Sequence, residues 1–106
     1  MNIINLTPHA VNIYTKAGIK TIAPSGVVAR CAQQQILIGH IGDIDLYKTD
    51  FGEISGLPEP QKDTFYIVSA VAANALKGRR SDVLIPFDPV RDEKGSIIGC
   101  RGLAFF

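Results

Sequence analysis

One stretch of this 106-residue chain, and one only, has the composition of a helix. Ala70-Val71-Ala72-Ala73-Asn74-Ala75-Leu76 is dominated by strong helix formers. Ser69 stands before it as an N-cap, and Gly78 follows where a helix stop favours a positive φ. The sequence predicts a single short helix over residues 69–77. The 10 glycines and 6 prolines cut the remainder into runs too brief for a second one. Whatever else is ordered must be strand.

The runs themselves agree. Ile3-Ile4-Asn5-Leu6 leads to a break at Thr7-Pro8-His9. Val11–Tyr14 and Ile19–Ile22 flank the turn Lys16-Ala17-Gly18 as a hairpin. After the turn Pro24-Ser25-Gly26, Val27–Cys31 reads as a strand. Ile36–Ile38 and Ile44–Lys48 form a second hairpin about Gly39–Asp43, with one face expected to be wet. Gly52, Gly56, Pro58 and Pro60 mark the main break in the chain. Thr64-Phe65-Tyr66-Ile67-Val68, β-branched and aromatic, is the strongest strand and belongs inside a sheet. Asp82–Ile85 is a strand stopped by Pro86, and Val90-Arg91 and Ser96–Cys100 flank the hairpin loop Asp92–Gly95. The apolar end Leu103–Phe106 is expected to pack. The sum is a small β-rich α+β domain spanning residues 1–106, with seven or eight mostly antiparallel strands and one short helix.

Charge narrows the function. The formal net charge is +1, which gives no bulk attraction to nucleic acid or anionic lipid. Residues 1–40 carry three cations and no acid, whereas residues 41–63 carry six acids against two lysines. No apolar run approaches the length of a membrane span, and no apolar leader follows a basic start. Cys31 and Cys100 are far apart without a CxxC spacing. Two free thiols in a reducing cytoplasm is the expected state, with a disulfide between them left open.

No catalytic or metal-ligating pattern is legible. His9 and His40 have no third ligand near them in sequence, and Asp43, Asp45, Asp50 and Glu53 lack the spacing of a calcium loop. Ser69 is not in a nucleophile elbow. Neither a metal nor a cofactor is expected. Polar residues do crowd around the helix: Ser69 before it, Arg79, Arg80 and Asp82 after it, Arg91 in the next loop. Two readings compete. Guanidinium forks beside a helix start would clamp a phosphate or carboxylate. Alternatively, Ser69 caps its own helix and the arginines form internal ion pairs.

The order of the turns carries a resemblance. Asn5–His9, Pro24-Ser25-Gly26 with Ala29-Arg30, Gly56–Pro60, Tyr66–Ser69, Arg79–Pro86 and Val90–Cys100 occur in sequence. Together they resemble a small uncharacterised family encoded by bacteria and their phages. That resemblance implies an accessory protein of a prophage or other mobile element and transfers no residue role. The expectation is a non-enzymatic binding protein, its ligand an anionic small molecule or nucleotide held by Ser69, Arg79, Arg80, Asp82 and Arg91. The competing expectation is an interaction or structural module, a homo-oligomer built through sheet edges and the apolar tail.

Overall fold

The computed structural model describes residues 1–76 and 78–105. Eight strands and one helix follow in the order β1 (Asn2–Asn5), β2 (Val11–Thr15), β3 (Gly18–Ile22), β4 (Arg30–Ile41), β5 (Ile44–Ser55), β6 (Thr64–Ile67), α1 (Ala70–Leu76), β7 (Val83–Arg91) and β8 (Ile97–Phe105). The α+β class stands. The expected helix end at Lys77 and tail end at Phe106 lie outside the described residues.

Six strands form one sheet in the order β1-β6-β7-β8-β2-β3, and β4 and β5 form a separate two-stranded sheet. The expectation of mostly antiparallel pairing is corrected: β1–β6, β6–β7 and β2–β8 are parallel, against antiparallel β2–β3, β4–β5 and β7–β8. For β6–β7 the reason lies in the helix. A strand that returns through a helical crossover of a dozen or more residues comes back parallel, and β6-α1-β7 is such a unit.

β6 is the hinge of the core because it is buried on both faces. Tyr66 and Val68 pack with Leu6, Ala29, Ala72, Ala73 and Val83 on the helix side. Ile67 packs on the other side with Val11, Ile13 and Cys100. Period-two alternation supplies both cores from one strand. The alanines of α1 let the helix lie close, and Ala72, Ala73 and Ala75 are all buried. On the second face β2 runs beside β8 with a single register pair, Ile13↔Cys100. A side chain at Gly99 would meet the Tyr14 ring at 2.6 Å and the Asn12 carbonyl at 2.7 Å, so only glycine admits this approach.

Two breaks expected from proline and glycine are not breaks. Pro86 sits inside β7, paired with Leu103, and Pro89 pairs with Cys100. β6 pairs β7 only at Val83 and Leu84. Pro86 lies on the same side of the strand as the Leu84 carbonyl that accepts the Val68 N–H, and beyond Leu84 no pairing with β6 is seen among the described residues, so its missing N–H costs no ladder bond. Gly52 likewise lies within β5, which runs on to Ser55. Strand structure on the preceding segment starts at Arg30 rather than Val27, because Val27–Ala29 form a loop whose Ala29 N–H is bonded to the Leu6 carbonyl at 2.9 Å.

The β4–β5 hairpin sets the outline of the molecule. Each strand has 12 residues, about 40 Å of extended chain. The Cα radius of gyration is 16.7 Å, where a compact chain of this length has about 13 Å. The principal extents are 56 × 39 × 22 Å. The base of the hairpin packs on α1 and contributes Ile54 to the core, and the rest is an arm.

Candidate functional site

The residues singled out around the helix each have a partner within the fold. Ser69 Oγ accepts the Ala72 N–H at 3.2 Å, the bond of an N-cap, while its carbonyl accepts the Ala73 N–H at 3.0 Å. At the other end Arg79 donates Nε–H to the Leu76 carbonyl at 3.0 Å and Nη2–H to the Ala75 carbonyl at 3.1 Å. These carbonyls have no acceptor duty inside the helix, and a cation there also suits the dipole. The two residues thus cap opposite ends of one helix, about 10 Å apart along its axis.

Arg80 and Asp82 form a forked ion pair. Nε–H and Nη2–H of Arg80 donate to the two carboxylate oxygens at 2.9 and 2.8 Å, and Nη2 also donates to the Pro58 carbonyl at 2.9 Å. Both side chains are less than one-fifth exposed. The Arg80 fork, opposed by burial, holds the Asp82 carboxyl below its ordinary value of 3.8. The same hydrogen bond, again opposed by burial, raises the Arg80 guanidinium. The pair ties the loop at Pro58 to the start of β7. Arg91, at the far end of β7, donates Nη1–H to the Gly95 carbonyl at 2.8 Å inside its own hairpin. Eight residues of strand separate it from Val83, about 25 Å. Among the described residues, no hydrogen bond or ion pair joins Ser69, Arg79, Arg80 and Arg91 into a common pocket.

Ser69 instead lines a groove of about 290 Å³ with Thr7, Pro8, Arg30, Cys31 and Gln33. A larger cleft of about 500 Å³, mostly apolar, lies where Val11, Pro86, Pro89, Ile97 and Ile98 meet over Cys100. Cys100 is buried and Cys31 half-buried, and both are free thiols. Among the described residues, no three His, Cys, Asp or Glu side chains converge as a metal-binding group. No helix of the described residues is long and apolar enough to cross a membrane.

The one polar side chain that organises a large region was not singled out from sequence. Asn5, 1% exposed, donates to the His9 and Ile22 carbonyls at 2.8 and 3.0 Å. Its Oδ1 accepts from the Thr7 N–H and hydroxyl at 2.9 and 2.6 Å. These bonds shape the Thr-Pro-His turn and fasten it to the end of β3.

The arm carries a run of exposed apolar side chains. Leu37 and Tyr47 are each 57% exposed, Ile38 is 62%, and Ile41 and Ile44 beside the tip are 67% and 66%. Leu37 pairs with Tyr47 and Gln33 with Phe51, so these side chains share one face. Ile36 pairs with Lys48 and Ile41 with Ile44 on the opposite face. The expected wet face is therefore not a polar one: both faces carry exposed apolar side chains. The tail, by contrast, is sheet: Leu103–Phe105 pair with Pro86–Leu84 in the body.

No protein-family model matches the chain, and comparison with curated proteins and with solved structures returned no significant match.

Proposed function

We propose that this protein is a non-enzymatic interaction module that docks on another protein chain through its β4–β5 arm. One observation carries the reading: a two-stranded arm stands out from the body with apolar side chains on both faces. An isolated two-stranded hairpin is marginal in water, and an exposed apolar surface of this extent marks a contact site. Leu37, Tyr47 and Phe51 on one face, and Ile36, Ile41 and Ile44 on the other, each expose on the order of 300 Å² of apolar side chain, an area that a partner could cover on either face. The anion-pocket reading has less support, because Arg79, Arg80 and Arg91 spend their donors on separate internal acceptors. The setting we infer is cytoplasmic, on the two free thiols, and in an accessory protein of a prophage or mobile element, on the resemblance of its turns.

The test is a photo-cross-linking amino acid placed at Tyr47 on the arm and, separately, at Ile19 on the body, which is as exposed. Irradiation in cells is expected to give a discrete protein adduct from position 47 and none from position 19. Equal labelling at both positions, or none at 47, would sink the proposal.

A further inference from the structure

We infer that the occupant of the arm is a second copy of this chain, joined antiparallel through the β4 edges across a two-fold axis. The inference rests on the reading of the arm as a docking element and adds which edge docks and on what. The two edges of the arm differ in a way that bears on this. β4 runs from Cys31 to Gly39 without a charge or a proline, and beyond the groove beside Ser69 its Gln34–Gly39 stretch gives about 20 Å of strand edge. Natural edge strands are commonly blunted by charge, proline or a bulge. β5 is blunted by Asp45, Lys48, Asp50 and Glu53. β4 has only one interruption in its own strand, a bulge at Ile38, and its register from Gln33 to Leu37 is unbroken.

The chemistry of that unbroken stretch selects its partner. Gln33, Gln34 and Gln35 carry side-chain amides, each both donor and acceptor. Identical amides facing each other across a two-fold can hydrogen-bond, whereas identical charges there repel. β4 is thus self-complementary. A β5–β5 seam would bring together two copies of a strand with three acids, Asp45, Asp50 and Glu53, against one lysine, Lys48. A β4–β5 seam would leave a free edge at each end and grow without closing. Of the two seams that close on a two-fold, β4–β4 is the one without charged side chains from Cys31 to Gly39, and it gives a four-stranded sheet β5-β4-β4-β5 in which Ile36, Leu37 and Ile38 gain cross-strand neighbours.

Light scattering on the size-separated full chain tests this. The chain mass is 11.4 kDa. The wild type is expected as a dimer of twice that mass at high-micromolar concentration, Gln33→Lys with Gln35→Lys as a monomer, and Asp50→Lys on β5 as a dimer still. Hydrogen exchange on the unmodified chain guards against misfolded variants: on concentration, protection is expected to rise along Gln33–Leu37 and not along Tyr47–Phe51. A dimer indifferent to the β4 lysines, or protection rising on β5 instead, overturns the β4 seam. A wild-type monomer overturns the second copy. If that monomer still gives a discrete Tyr47 adduct with a different protein, the arm reading survives alone. If it gives none, both fall.

Discussion

At the scale of single residues, the polar side chains around the helix show how far local sequence reaches. Ser69 before an alanine run and Arg79 just past its end are legible as caps because capping is a local interaction. Asn5 was not legible. Its four partners come from Thr7, His9 and Ile22, and the burial that makes those bonds matter is created only when β3 arrives beside β1. Arg80 and Asp82 fall between these cases: the pair is local, but Pro58 lies 22 positions away. The sign of its pH dependence follows from the Asp82 carboxyl, whose folded-state value lies below its ordinary 3.8. The stabilisation is full above the ordinary value and is lost as pH falls through the lowered folded one. Asp82→Asn is expected to cost about 1–3 kcal/mol at neutral pH, since charge-assisted bonds are lost and Arg80 keeps its burial. Urea melts of wild type and variant are expected to converge in acid, once pH falls below the lowered folded-state value of Asp82. An equal gap at both pH values would show that the ion pair is not the source.

At the scale of elements, composition located the strands better than it located their ends. The hairpin β2–β3, the strand β6 and the helix were visible because propensity, alternation and turn chemistry agree there. β7 was cut short at Pro86 because proline is read as a breaker. Whether it breaks depends on whether a neighbour needs its N–H, which is a property of the sheet. The parallel crossover was present in the order strand, helix, strand, but the hairpins on either side set the expectation. Gly56 shows an element boundary that the sequence marked correctly for a reason it did not contain. Its φ is 80°, and a Cβ there would run into the Val28 carbonyl. The loop it starts delivers the Pro58 carbonyl to Arg80 and the Glu59 carbonyl to the buried Tyr66 hydroxyl. Gly56→Ala is expected to cost more than about 2 kcal/mol, from left-handed strain and the clash together. Thermal melting checks it. A loss below about 0.5 kcal/mol, the size of an ordinary surface change, would mean that the loop shifts freely and does not seal the core.

At the scale of the whole molecule, the body and the arm answer to different physics. Among the described residues, both buried clusters are built from β1, β2, β3, β6, α1, β7, β8 and their loops, with only Ile54 entering from the arm strands, at the base. Sequence could not separate the two, because Ile36–Ile38 and Ile44–Leu46 look like core hairpin until nothing is found to cover them. The division makes a strong expectation. Ile36 pairs directly with Lys48, so an Asn-Gly turn placed between them closes a two-residue hairpin. Replacing residues 37–47 by Asn-Gly removes Leu37, Ile38, Ile41, Ile44 and Tyr47 and leaves the strands that meet α1 in place. Because those side chains are exposed, their loss is expected to change stability by under about 1 kcal/mol, a Tm shift within roughly 5 °C. Calorimetry of the shortened chain measures this. If it melts far lower or fails to fold, the outer arm belongs to the core, and its apolar side chains need no partner to explain them. If it melts with the wild type, the body folds without them, and the exposed apolar surface is free to serve a contact beyond the chain.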